Sequence, residues 1–381
     1  MRLFGAVLLV FCSVVFPAAA SCDYPALFNF GDSNSDTGGL SAAFGPAPSP
    51  NGETFFGRPA GRYCDGRLIV DFIAENLGLP YVNAYLDSVG SNFSHGANFA
   101  TAGSSIRRQN SSLFKSGFSP FSLDVQSWQF SQFKARSQLA RQQGSVFRRL
   151  LPEEGAFSTG LYTFDIGMND LTSSFFSNQT VEQVLAGIPQ ILNEFATAVK
   201  SVYGHGGRYF WIHNAGPFGC LAYVLERLPV KPEEVDPAGC AAPYNAVAQA
   251  FNEQLKATVV HLRQELPSAA LTYVDVYAAK YSLISNPPPE SGFTQPLVAC
   301  CGHGGRYNYS PGIGCGAEQM VNGTRMVLGC SCADPSRRII WDGVHYTEAA
   351  NRWVFDQISG GAFSDPPLPL RMACTQRPPV S

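Results

Sequence analysis

Charge is scarce in this chain. Asp, Glu, Lys and Arg make up 14% of its 381 residues, too few for a solvated disordered segment or a long charged coil. Neither sign dominates. Lys plus Arg is 26 against 29 for Asp plus Glu, a net charge of −3, which disfavours nucleic acid or an anionic membrane surface as the partner. Beyond the N-terminus no stretch reaches the roughly 18 uninterrupted apolar residues of a membrane span. G-x-x-x-x-G-K-[ST] is missing, so no phosphate loop is expected. Gly312, Gly314 and Gly316 do not follow a buried strand and make no dinucleotide fingerprint. G-x-S-x-G, the sharp nucleophile elbow of many hydrolases, is also missing. Internal repeats and low-complexity tracts are not evident.

What is present is apolar material, 45% of the residues, enough for a large core. The N-terminus reads as a secretory signal. Arg2 is followed by an apolar run from Leu3 to Phe16 and by the small residues Ala18, Ala19 and Ala20. A helix of that run spans about 21 Å, short of a bilayer core, so a signal peptide over 1–20 is favoured over a membrane anchor. Residues 21–381 are then read as one domain with a Pro-rich tail from about Asp365. Loss of Cys12 with the signal leaves ten of the 11 cysteines, an even number that allows up to five disulfides in an exported protein. The pairing cannot be read from spacing, although a bond to Cys374 would tie down the tail. The crowd Cys300, Cys301, His303, Cys330 and Cys332 contains soft ligands, but it matches no standard zinc spacing, and no metal is expected. N-x-[ST] sequons stand at Asn92, Asn110, Asn178, Asn308 and Asn322, candidate glycosylation sites on the surface.

Short apolar runs alternate with helical patterns. Ala26 to Phe30, Ala97 to Ala100, Leu161 to Ile166, Arg208 to Ile212 and Ala270 to Val276 read as buried strands. Val184, Ile188, Ile191, Phe195, Val199 and Val202 form one helical stripe, opened by the capping pair Thr180 and Gln183, with Pro189 predicting a kink or a later start. Tyr244, Val247, Phe251, Leu255, Val259, Leu262 and Leu266 form another, closed by Pro267. Strand–helix–strand order implies a parallel sheet covered on both faces, with chemistry at the C-terminal strand ends.

Those ends carry reactive residues. The first strand runs into Gly31-Asp32-Ser33, where a hydroxyl projects over the sheet edge. Such a serine needs a base, and the base an orienter. Asp342 and His345 stand three apart before a helical segment, a spacing that lets the carboxylate fix the imidazole. Asn169 follows the strand ending at Ile166 and offers an amide to an oxyanion; Gly103, after the strand near Ala100, offers an unshielded backbone N–H. Each piece alone fits a turn or a cap. Together they supply every role that acyl transfer requires.

With those residues in hand, the chain resembles the plant branch of the GDSL, or SGNH, serine ester hydrolases, in particular the early-nodulin esterases and proteins labelled α-L-fucosidases. The likeness runs through FNFGDSNSDTGG, GRYCDGRLIVDFIAE, FSHGANFATAGSSI, YTFDIGMNDL, YFWIHNAGPFGC, CCGHGGRYNYSPGIGCG and WDGVHYTEAAN. Asn34 stands where the motif has Leu. The resemblance implies a three-layer α/β/α, flavodoxin-like domain around a five-stranded parallel sheet. It implies Ser33, Asp342 and His345 as catalytic residues, and Ser33, Gly103 and Asn169 as the oxyanion hole. No cofactor is expected. The expected substrate is a small-molecule or glycan ester, most simply an acetyl ester; the expected location is outside the cell, in apoplast or wall, or in the vacuole. Three alternatives remain at this point: an acyltransferase using the same acyl-enzyme, a fucosidase-type glycosidase drawing on Asp32, Asp36, Asp170 or Asp342, and a non-catalytic wall or defence protein. Phe118, Phe121, Trp128, Phe130 and Phe133 read as core before they read as a sugar shelf.

Overall fold

The computed structural model describes residues 21–109, 117–321 and 323–375. The signal segment, Asn110, Asn322 and Cys12 lie outside them.

Five strands form where apolar runs were expected: β1 (Leu27–Gly31), β2 (Gly96–Asn98), β3 (Leu161–Asp165), β4 (Tyr209–His213) and β5 (Ala270–Val274). Two exposed strands follow, β6 (Glu318–Val321) and β7 (Thr324–Val327), paired only with each other. A two-residue strand, β8 (Ser364–Asp365), completes the set. The main sheet has the order β2-β1-β3-β4-β5-β8. Its first five strands are parallel, as expected; β8 adds a sixth, antiparallel to β5. The tail is thus a sheet edge as well as a strap. Arg263 anchors it through Asp365 Oδ1 at 3.0 Å, and the Cys22–Cys374 disulfide closes it.

Alternation along the strands sorts the side chains. Phe28 and Phe30 of β1, Tyr162 and Phe164 of β3 and Phe210 of β4 stack into one aromatic layer. Phe130, from the helix α2 (Leu123–Gln143), packs edge-on against it. Phe130 and Phe133 are therefore core, whereas Trp128 on the same helix is 65% exposed. The intervening segments carry α1 (Ile69–Leu77), α3 (Met168–Phe176), α4 (Val181–Gly204), α5 (Ala242–Glu265), α6 (Val276–Ser285) and α7 (Glu348–Ser359). Helices α2, α4 and α5 pack side by side as one layer, and α1, α7 and α6 as the other. The Thr180–Gln183 capping box opens α4, and every residue of its predicted stripe is buried. Pro189 neither delays nor ends that helix. Its ring is exposed, so the clash and the lost hydrogen bond fall on the solvent side.

Four disulfides form, within the five that the count allows: Cys22–Cys374, Cys220–Cys240, Cys300–Cys332 and Cys301–Cys315. Cys64, buried, and Cys330, exposed, stay reduced. The bonds of Cys300, Cys301 and Cys332 consume three of the four sulfurs of the soft-ligand crowd and leave that of Cys330. Asn92 and Asn178 are exposed. Asn308 is half-buried, and its Nδ2 donates to the Ala299 carbonyl at 3.0 Å.

Candidate active site

Burial fixes the turn after β1. Gly31 has no room for a side chain: a Cβ would sit 2.6 Å from the Asp165 carbonyl oxygen and closer still to Ser35 Oγ. Gln126 of α2 pairs with the same residue, accepting from Gly31 N at 2.9 Å and donating to Gly31 O at 2.8 Å. Asp32 Oδ1 accepts from Asn34 N at 2.9 Å and from Asn34 Nδ2 at 2.8 Å, closing a tight turn around Ser33. Behind it a polar ladder crosses three strands. Thr163 donates to Asn29 Oδ1 and Asn29 to Asn98 Oδ1, each at 2.7 Å, while Asn98 Nδ2 holds the Ser35 carbonyl at 2.6 Å. Ser33 itself is buried.

Asp342 and His345 meet as their spacing predicted. Nδ1 lies 2.6 Å from Asp342 Oδ2, and Asp342 Oδ1 accepts from Val344 N at 3.0 Å and His345 N at 2.8 Å. Burial alone would raise the Asp342 carboxyl. The charge of His345 and these three hydrogen bonds outweigh it and hold the group below the ordinary carboxylate range. With the Nδ1 hydrogen given to Asp342, Nε2 carries a lone pair. It is buried and has no hydrogen-bond partner among the described residues. The Tyr63 ring packs against the imidazole at 5.7 Å between centroids. When protonated, His345 would act on Asp32, next to Ser33, and favour its ionised form.

Gly103 has φ +79°, and a Cβ there would press on Gly117 O at 2.8 Å and Ser119 N at 3.0 Å. Only glycine fits that backbone. Asn169, in the first turn of α3, uses one amide hydrogen on the Ser104 carbonyl at 2.8 Å and keeps its second.

Two buried carboxylates clamp the loop that carries Gly103. Asp36 Oδ1 accepts from Gly38 N and Gly39 N, and Oδ2 from Leu40 N at 3.0 Å and Ala102 N at 2.7 Å. The nucleophile segment and the glycine loop thus share one acceptor. Asp170 accepts from Ile106 N at 2.7 Å and Arg107 N at 3.0 Å; burial pushes it up to about 6 against those bonds. Nδ1 of His205 contacts the Ser201 carbonyl, and that of His213 contacts Asp165.

Sequence reading passed over Gln126, Tyr63, Asp165 and Lys280 around this rim. Lys280 had one available signal, as the single charge in the apolar helix α6.

A model of the GDSL-like lipase/acylhydrolase family matches residues 27–358. The chain belongs to this family. It is a carboxylic ester hydrolase of the esterase/lipase type, as its relatives are named. It is 61% identical to the maize (Zea mays) GDSL esterase/lipase ACHE, over 94% of this chain and 91% of the relative. Identity to Alpha-L-fucosidase 3 of Arabidopsis thaliana is 60%, over 90% of this chain and 92% of that one. GDSL esterase/lipase ENOD8 of Medicago truncatula is 53% identical, over 93% and 92%. Among solved structures, the acetylxylan esterase Axe2 of Geobacillus stearothermophilus aligns with 71% of this chain and 84% of its own, at TM-score 0.32 and 14% identity.

Proposed function

We propose that this hydrolase is exported and removes short acyl groups, acetyl foremost, from a metabolite, glycoside or wall-glycan ester through an acyl-enzyme on Ser33. The observation that carries the reading is the 2.6 Å contact of His345 Nδ1 with Asp342, which leaves Nε2 buried and without a hydrogen-bond partner among the described residues. Nε2 takes the Ser33 proton as Oγ attacks the ester carbonyl. Asp342 keeps the imidazole in one tautomer and steadies its positive charge. The oxyanion receives the N–H groups of Ser33 and Gly103 and the free amide hydrogen of Asn169. The imidazolium returns its proton to the departing alcohol. Water, deprotonated by Nε2, then releases the acid. Each oxyanion donor contributes about 3 kcal/mol.

Export is supported by the N-terminal signal pattern and four disulfides. Asn92 and Asn178, both exposed, are the sequons best suited to carry glycans. The fucosidase name on one relative does not favour a glycosidase here. Asp36 and Asp170 spend their oxygens on backbone N–H groups and Asp342 is committed to His345, so of the four candidate carboxylates only Asp32 keeps an unengaged oxygen, where a glycosidase needs two.

The test is turnover of a nitrophenyl ester chain-length series, acetate release from acetylated glycans, and a chromogenic fucoside, each with wild type and Ser33→Ala. Loss of all ester turnover in the variant, with acetyl the best substrate, is expected. Fucoside turnover that survives Ser33→Ala in an enzyme without ester activity would overturn the reading.

A further inference from the structure

Beneath the serine turn lies a group of buried ionisable side chains that acyl transfer by Ser33, His345 and Asp342 leaves unused. The parallel strands β1, β3 and β4 end side by side, bringing Asp32, Asp165 and His213 to one edge. Asp165 Oδ2 lies 3.2 Å from His213 Nδ1, and Asp165 O accepts from Asp32 N at 3.1 Å. Lys280 reaches in from α6. It is only 4% exposed, and its Nζ sits 4.4 Å from the ring centroid of Tyr346, the neighbour of His345. Asp32, Asp165, Lys280 and Tyr346 line a common cavity of about 10 Å³, roughly the space of one water. Asp32 Oδ2 and Tyr346 OH, both buried, have no hydrogen-bond partner among the described residues.

A buried ammonium against two buried carboxylates is costly unless the charges answer one another. Here Lys280, Asp32 and Asp165 line one cavity directly under the turn that presents the nucleophile, with the ammonium in direct ion-pair contact with neither carboxylate. We propose that Lys280 is a positioning residue for that turn: its ammonium is the counter-charge that keeps Asp32 and Asp165 ionised together, and ionised Asp32 holds Asn34 and, with it, the Ser33 N–H in place. This rests on Ser33 being the nucleophile and adds a residue that touches neither substrate nor Ser33.

The electrostatics agree with the geometry. Burial, and then the charge of Asp165, push Asp32 up to about 7; the Asn34 hydrogen bonds and His345 oppose this. Burial pushes Asp165 up as well, but the hydrogen bond and charge of His213 and the charge of Lys280 bring it below the ordinary range. Burial lowers Lys280, and both carboxylates resist that. The groups facing Asp32 are Asp165 from β3, Lys280 from α6, His345 and Tyr346 from the segment before α7, and Tyr223 from the short helix Ala222–Arg227. Asp32 works in its ionised form and His345 Nε2 in its unprotonated form, so activity falls as pH drops through both titrations. A cation beside Asp32 moves that fall to lower pH, and removing the cation moves it up by about 1–3 pH units.

The test is the pH dependence of kcat/KM for nitrophenyl acetate with the full chain, each variant checked by its thermal unfolding midpoint. Lys280→Met is expected to shift the acid limb up by about 1–3 units. Asp165→Asn, whose amide oxygen still accepts from His213, is expected to shift it down. The double variant Lys280→Met/Asp165→Asn is expected to bring it back towards wild type. An acid limb in Lys280→Met that superimposes on wild type, however low the plateau, overturns the proposal. So does a double variant that stays at the Lys280→Met position. If Lys280→Met does not fold, Asp165→Asn decides alone, an unmoved limb being the contrary result. Ser33→Ala is assayed beside them: an inert Ser33→Ala with an unmoved Lys280→Met limb sinks this inference and spares the esterase reading.

Discussion

Asp36→Asn removes the acceptor shared by the nucleophile segment and the glycine loop. The carboxylate takes two N–H groups on each oxygen and is fully buried. An asparagine keeps one accepting oxygen and turns an NH2 towards the other two donors. Whichever way the amide sits, two buried N–H groups lose their partner, at about 1–3 kcal/mol each. Relief from burying a charge offsets part of this, because burial holds the Asp36 carboxyl above its ordinary range. The net expectation is a loss of roughly 2–4 kcal/mol. Activity falls as well, since either the 38–40 backbone or Ala102, next to Gly103, is released. The assay is urea unfolding together with kcat on nitrophenyl acetate. Asp124→Asn is the control, because it removes a solvent-screened surface ion pair with Arg108. An Asp36→Asn enzyme as stable as that control, with wild-type kcat, would refute the argument that one carboxylate ties the two loops.

Gly103→Ala forces a Cβ against Gly117 O and Ser119 N at a left-handed backbone, so kcat should drop about 10²–10³-fold in a nitrophenyl acetate assay while KM changes little. Asp342→Asn should lower kcat about 10⁴-fold through the wrong imidazole tautomer, with near-UV circular dichroism unchanged. The same substitution should flatten the acid arm of stability. The folded-state carboxyl is held below its ordinary value, so its pairing stabilises above about pH 4 and is lost as pH falls through the lowered value; unfolding midpoints between pH 7 and pH 3 check this. Cys374→Ser should cost roughly 2–5 kcal/mol and open the tail to limited proteolysis before the main sheet unfolds, because the bond closes a separation of 352 residues.

The strands β1, β3, β4 and β5 are legible because each is a short, mostly apolar run, buried on both faces, between turn residues. Tyr209–His213 was found within a residue for that reason. The β6–β7 hairpin went unread. Met320, Met326 and Val327 are exposed, so no buried face imposed an alternation. The Asp342–His345 contact followed from a spacing of three. The charge balance of Asp32, Asp165 and Lys280 did not, because it joins three chain-distant elements with no shared period. The commitment of Asp36 and Asp170 to backbone donors was likewise invisible until the loops they clamp were in place.

The central claim is that Ser33 carries the acyl group. A serine-directed fluorophosphonate, followed by peptide mass mapping, tests it most directly. The account predicts a single adduct on the peptide containing Ser33, lost in Ser33→Ala and slowed by orders of magnitude in His345→Ala. An adduct at another residue, or ester turnover persisting in Ser33→Ala, would contradict it.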